Sequence, residues 1–295
     1  PPSSLSLDDS FAMVFHMISS FLNYPRALLR YLFLIRTLGP RYFARVLTSW
    51  SQVSHIYARE PCNRVAVMGP YAKRIFTQLG YDDGDVVVTG QPRFDALKSP
   101  YEPREAVCRK LGIDDSHRIL LFAAPVFRSP ERRSVFVRPL VRSIKEIGDL
   151  ALVIKVHPRE DPGPYQEILR AEGARETSVV TDFPVPSLLH ACDLFLSNYS
   201  TMTLEALLVG RPVILLKTRD ESAAYPFDNV AVTVAVDDGG GLTAAIRDVL
   251  GSGESQGDLT ASRDRFVREH ANGGDGQASQ RVAALIRDLC LVQPT

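Results

Sequence analysis

Ser200 and Thr201 stand at the start of an apolar-patterned segment that Gly210 closes, with Pro212 just beyond it. A glycine after the last periodic residue and a proline behind it mark a helix end, so the pattern predicts a helix from about Thr201 to Gly210 between two apolar strands. Two hydroxyls and unpaired backbone N–H groups at the N-terminus of such a helix suit an anion, above all a phosphate. The same residues are also ordinary helix caps, and a cap by itself binds nothing. Glu205 follows Thr201 by one turn on the same face, where its carboxylate is poorly placed for a phosphate but well placed to accept the two hydroxyls of a ribose. The alternative is a solvated glutamate on a helix surface.

His157 follows the apolar run Leu152 to Val156 directly, and Pro158 restricts the backbone beside it. Neutral, its ring can donate a hydrogen bond to a phosphate oxygen; protonated, it can neutralise charge or act as an acid. The competing reading is a surface histidine before a proline turn. Other polar residues stand in the same position relative to a predicted strand: Arg128 and Ser129, Arg159, Asp182 and Phe183, Ser197, and Lys217 to Glu221. In an open parallel sheet, ligands bind outside the carboxyl ends of the strands, so these residues gather by topology.

The elements that must position them alternate. Strands are predicted at Arg64–Met68, Asp85–Thr89, Ile119–Ala123, Leu152–Val156, Ser178–Thr181, Asp193–Ser197, Val213–Leu216 and Val230–Val236, with helices between most of them. Near-continuous apolar runs such as Val213 to Leu216 fit strands buried on both faces, hence a parallel α/β sheet. Ser99 to Pro103 reads as a linker, Gly251 to Ser262 as a flexible polar excursion, and Ala278 to Leu291 as a final helix. Phe11 to Trp50 reads as two or three helices carrying Arg26, Arg30, Arg36, Arg41 and Arg45 without acidic counterweight. Such a segment can lie on an anionic membrane, or pack on a domain with its arginines in water.

The 34 basic and 34 acidic side chains balance, so no global field draws in nucleic acid, and anion recognition must be local. The four cysteines show no metal-ligand spacing and no disulfide framework, which fits a reducing cytoplasm. The scattered carboxylates give no metal site either. The P-loop, the G-x-G-x-x-G fingerprint and the G-x-S-x-G elbow are absent from the sequence. The chain opens Pro1-Pro2 without an initiator Met, as a processed or truncated start would.

Four segments carry a resemblance: VTGQPRFDAL (Val88 to Leu97), KVHPRE (Lys155 to Glu160), DLFLSNYSTMTLEALLVGRPVILL (Asp193 to Leu216) and DGQASQRVAALI (Asp275 to Ile286). Together they resemble GT-B-fold enzymes of bacterial surface-polysaccharide synthesis. The nearest in pattern are CDP-glycerol glycerophosphotransferase-like and capsule glycosyltransferases, with non-hydrolysing UDP-N-acetylglucosamine 2-epimerases close behind. The resemblance implies a Rossmann-like C-terminal domain with a parallel sheet, over residues 99–275, holding a nucleotide-activated donor. Residues 1–98 would be an incomplete N-terminal Rossmann-like domain on the acceptor side, and 276–295 a helix crossing back to it.

Carried over by residue, His157 would meet the donor phosphate as the catalytic group, and Ser200 and Thr201 would hold its oxygens. Arg128, Ser129 and Ser197 would complete that phosphate site. Glu205 would bind the ribose, Asp182 and Phe183 would stand in the base loop, and Gly90, Arg93 and Asp95 would line the interdomain cleft. The implied reaction is metal-independent transfer, without cofactor, of a sugar or polyol phosphate from a nucleotide sugar or CDP-polyol to a glycan or lipid-linked acceptor. Its implied place is the cytoplasm, with peripheral contact at the inner membrane face through residues 11–50. Two alternatives stay open: an epimerase, and a nucleotide-binding half-domain inactive alone. Against the epimerase, its pattern has Gly-Gly and paired acids where Ser200-Thr201 and a single Glu205 stand here.

Overall fold

The computed structural model describes residues 63–78, 81–99, 101–198, 200–218, 230–236, 240–251 and 256–291. They belong to one compact unit, Asn63–Thr295. The basic helices expected over 11–50 and the acidic-basic loop at 219–221 lie outside the described residues.

The unit opens with a β-α-β piece. Strand β1 (Val65–Val67) and strand β2 (Val86–Val88) pair in parallel around helix α1 (Pro70–Gln78). Gly90, at φ 81°, turns the chain into a short helix α2 (Pro92–Asp95), which begins at a proline, where a missing N–H costs nothing. A 3-10 turn, Ala96–Lys98, and helix α3 (Arg104–Leu111) lead into the main sheet.

That sheet is built from β3 (Arg118–Ala123), β4 (Leu150–Lys155), β5 (Thr177–Val180), β6 (Leu194–Ser197), β7 (Val213–Lys217) and β8 (Val232–Ala235). Their order is β5-β4-β3-β6-β7-β8 and every pairing is parallel. Helices α4 (Pro130–Ile147), α5 (Gly163–Ala171), α6 (Val185–Ala191), α7 (Met202–Leu208) and α8 (Gly241–Gly251) connect or follow the strands, then α9 (Gln256–Ala271) and α10 (Ala278–Leu291) close the unit.

Alternation along β3 shows how the sheet is sandwiched. Ile119, Leu121 and Ala123 join the core beneath α3, α6, α7 and α9, while Leu120 and Phe122 join the core beneath α4, α5 and α8. Leu120, Leu121 and Phe122 are fully buried, so the unbroken apolar run does indicate a strand covered on both faces. Each such side chain contributes about 1.5–3 kcal/mol relative to exposure.

The stretch 251–262 departs from the sequence reading. Instead of a polar excursion throughout, α9 begins at Gln256 and runs through to Ala271. Its anchors, Val267 and Ala271, lie in the last turns, so the polar first half carries no apolar period to reveal it. Among the described residues, no helix is long and apolar enough to cross a membrane.

Candidate functional site

The strand order sets the site. From the central pair β3 and β6, the chain leaves in opposite directions: α4 covers one face of the sheet and α7 the other. A crevice must open between the two departing loops, at the topological switch point. Ala123 on β3, Lys155 on β4 and Ser197 on β6 stand level in register, so the loops that follow them share one edge.

One wall is the loop Ala124 to Ser129. Arg128 is exposed, and Ser129 caps α4, its Oγ accepting from the Arg132 N–H at 3.3 Å. The loop is held from behind by Glu160, whose Oε1 accepts the Phe127 N–H at 2.7 Å and lies 3.5 Å from the Arg133 guanidinium. The Tyr165 hydroxyl donates to the other oxygen, and Arg133 lies over the Tyr165 ring, 5.0 Å from its centroid. The Glu160 side chain is 6% exposed and that of Arg133 13%, a buried ion pair whose carboxylate is bonded at both oxygens. Burial, and then donation to Glu160, push the Tyr165 hydroxyl above its ordinary range.

His157 stands in the next loop, partly exposed. Its Nδ1 accepts the Arg159 N–H at 3.1 Å, and the His157 carbonyl accepts from the Glu160 N–H at 2.9 Å. A ring that accepts at Nδ1 carries its proton at Nε2, so the histidine offers an N–H from its outer nitrogen. Lys155, at the end of β4, donates to the Thr181 carbonyl and fastens the neighbouring loop; burial lowers its pKa. Asp182 is exposed in that loop, and Phe183 packs partly buried against the core. Both stand at the strand farthest from the switch point on that side.

The opposite wall is the turn into α7. Ser200 Oγ accepts the Met202 N–H at 3.2 Å, and Thr201 is the exposed cap residue, without a side-chain cap bond. Ser197, expected beside them, is 0% exposed and shares a 2.8 Å hydrogen bond with Thr203. The structure therefore separates it from the exposed hydroxyls: an end-of-strand serine facing a helix packs inward. Glu205 is buried, at 3% exposure, which the picture of a solvated helix glutamate does not anticipate. Arg93 of α2 reaches it, Nε to Oε1 at 2.8 Å, while Oε2 is buried without a hydrogen-bond partner. Desolvation raises the Glu205 pKa and Arg93 works against that rise.

Gly90 and Asp95 belong to the same junction. The Arg281 Nε donates to the Thr89 carbonyl at 2.7 Å, and a Cβ on Gly90 would come within 3.0 Å of Ala278 Cβ. Asp95 accepts the N–H groups of Ala278 and Ser279 at 3.1 and 2.8 Å, capping α10. Burial acts to raise its pKa, but the bonds from Ser279 and Ala278 and the Arg281 charge outweigh it and leave it lowered.

Sequence reasoning missed Glu160 and Arg281, although both stand inside motifs it singled out. The usable signal for Glu160 was an acid next to a predicted strand-end loop, but its partners, Phe127 and Tyr165, are recognisable only in three dimensions. Among the described residues, no cluster of His, Cys, Asp or Glu is arranged to hold a metal ion.

Residues 51–288 match the family model described as CDP-glycerol:poly(glycerophosphate) glycerophosphotransferase. Lipid-A-disaccharide synthase of Nitrosococcus oceani is 27% identical over 214 residues, covering 66% of this chain and 50% of that protein. Teichoic acid glycerol-phosphate primase of Bacillus spizizenii is 23% identical over 237 residues, covering 77% and 58%. The chain thus spans about half the length of the curated relatives it matches. Among solved structures, the wall teichoic acid polymerase TagF soaked with CDPG superposes at a TM-score of 0.57 with 16% identity, covering 77% of this chain and 56% of that one. At that identity the likeness shows a shared fold, the GT-B type anticipated from the motifs.

Proposed function

The chain belongs to the CDP-glycerol:poly(glycerophosphate) glycerophosphotransferase family, and from that premise we propose that it moves a polyol phosphate or sugar from a nucleotide-activated donor to a cell-envelope glycan or lipid-linked acceptor. The observation that carries this reading is that three of the four motifs meet and the fourth, with His157, follows a strand end at the same edge of the sheet. The loop after β2 pairs with α7 through Arg93 and Glu205, and with α10 through Asp95 and Arg281, while His157 and Ser200 stand on the two sides of the switch-point crevice.

In this proposal the donor phosphates lie between the His157 loop and the start of α7. His157 Nε2–H donates to a phosphate oxygen, Ser200 and Thr201 offer hydroxyls, Arg128 supplies exposed positive charge, and Glu205 accepts a ribose hydroxyl. For a CDP-polyol donor, an acceptor hydroxyl oxygen bonds to the phosphorus bearing the polyol while the bond from that phosphorus to CMP breaks. The hydroxyl proton passes to solvent water as the phosphodiester forms. Charge grows on the departing CMP phosphate, where His157 and the helix end stabilise it without a metal ion. Asp182 and Phe183 stand in the loop that receives the base. Residues 11–50, with their arginine series, give the peripheral contact at the inner membrane face where lipid-linked acceptors reside.

The test is nucleotide release. A transferase releases CMP from CDP-glycerol, or UDP from a UDP-sugar, only when acceptor is added. Interconversion of UDP-N-acetylglucosamine without acceptor would support the epimerase alternative instead, and binding with neither reaction would support the half-domain.

A further inference from the structure

Arg93 and Glu205 form an unusual pair. The carboxylate is almost wholly buried, with its side chain 4% exposed, whereas the Arg93 side chain is 61% exposed. One oxygen, Oε1, is engaged at 2.8 Å by Arg93 Nε; the other, Oε2, is buried and unpartnered. A salt bridge that served packing alone would gain from satisfying both oxygens, because a buried acceptor left unbonded costs free energy. The arrangement instead leaves one buried acceptor unbonded on the turn of α7 that follows Ser200 and Thr201.

Its ionisation depends on one neighbour. Removed from water, a carboxylate shifts toward its neutral form, and a neutral carboxyl turns one of its two acceptors into a donor. Among the described residues, Arg93 is the charged group that acts on Glu205; strands β6 and β7 and helix α9, packed on α7, contribute no other. Arg93 reaches it from α2, whose last residue, Asp95, caps α10, so the guanidinium is carried by an element tied to another helix.

We propose that Arg93 is a positioning residue for the donor nucleotide: by holding Oε1 it keeps Glu205 ionised and leaves Oε2 as the acceptor for a ribose hydroxyl. This rests on the nucleotide-donor reading above and adds that recognition of the ribose on α7 depends on a charge delivered from the loop after β2. The sign of the pH effect follows. Desolvation favours the neutral carboxyl and the Arg93 charge favours the carboxylate, so without Arg93 the carboxyl keeps its proton to a higher pH and ribose recognition returns only above it.

Calorimetric titration of the full chain with CDP and UDP, each beside its 2′-deoxy counterpart, tests this at about pH 6 and about pH 9, either side of neutrality. Wild type is expected to prefer the ribonucleotide about tenfold at both pH values, the size of one charge-assisted hydrogen bond. Arg93→Gln should lose that preference at the lower pH and regain it at the higher, Arg93→Lys should keep it at both, and Glu205→Gln should lack it at both. Thermal unfolding of each variant confirms that it is folded. Full preference in Arg93→Gln at both pH values would overturn the role, as would an equal loss at both pH values in Arg93→Gln and Arg93→Lys. Wild type binding ribo- and deoxyribonucleotide equally would overturn it through Glu205, with the crevice still a nucleotide site. Failure of wild type to bind either nucleotide would bring down the donor reading itself, and Arg93 with it.

Discussion

His157 offers an N–H at Nε2 because the Arg159 N–H occupies Nδ1, an arrangement that Pro158 helps fix by restricting the chain between them. His157→Ala is expected to lower kcat by about 10²–10⁴, with a much smaller change in KM, in an acceptor-dependent assay. Loss confined to KM would make the histidine a binding group only. Its position was readable in the sequence because a strand end, a histidine and a proline are adjacent in the chain. Glu205 was readable as one turn beyond Thr201, but not its burial, nor the inward turn of Ser197. Those depend on what covers α7, namely Arg93 from far upstream and the packing of Thr203 against β6.

At the scale of elements, Glu160 ties two loops together. Its removal leaves Arg133 without its carboxylate and Phe127 N–H without its acceptor, and stranding one partner of a buried ion pair costs about 3–5 kcal/mol. We expect Glu160→Ala to lower the denaturant midpoint accordingly. Tyr165→Phe, which removes one bond to the same carboxylate, should cost about 1–2 kcal/mol. Similar losses in the two variants would contradict the ranking.

The junction between α2 and α10 carries an acid-sensitive pair. Arg281 donates to both oxygens of Asp275 and holds that carboxyl down at about 2, below the ordinary 3.8. A depressed folded pKa gives stability that is complete above the unfolded value and is lost as the pH falls from about 4 toward about 2. Asp275 is well exposed, so screening keeps the contribution below about 1 kcal/mol. Arg281→Ala should remove that part of the acid dependence, read as a smaller fall in denaturant midpoint across this window than in wild type. An unaltered fall would show that the pair adds nothing. Most strands and helices here were legible from apolar runs and turn residues, and α10 agrees with the sequence reading to the residue. The first half of α9 was not, because its polar residues are held by continuity with the buried Val267 and Ala271 end and not by a pattern of their own.

For the molecule as a whole, the β1-α1-β2 piece is held to the large sheet's unit partly through a close backbone approach. A Cβ on Gly69 would lie 2.5 Å from the Glu269 carbonyl oxygen and 2.7 Å from the His270 carbonyl carbon, beside the Arg74–Glu269 ion pair at 2.7 Å. Gly69→Ala is therefore expected to cost about 1–3 kcal/mol as an overpacked contact, and to speed amide exchange across α1 more than across β3. Uniform exchange changes would show that the piece does not loosen as a unit. The sequence showed a glycine before a proline at this turn but gave no means of knowing that α9 passes so near.

The central claim is a nucleotide-donor site at the switch point between β3 and β6, operating without a metal ion. Calorimetric titration of the full chain with CDP, UDP, CMP and GDP, each with and without Mg²⁺, tests it most directly. Saturable binding of one of these nucleotides, unchanged by Mg²⁺ and weakened by Ser200→Ala, is the predicted result; binding of none, or binding that appears only with Mg²⁺, would contradict it.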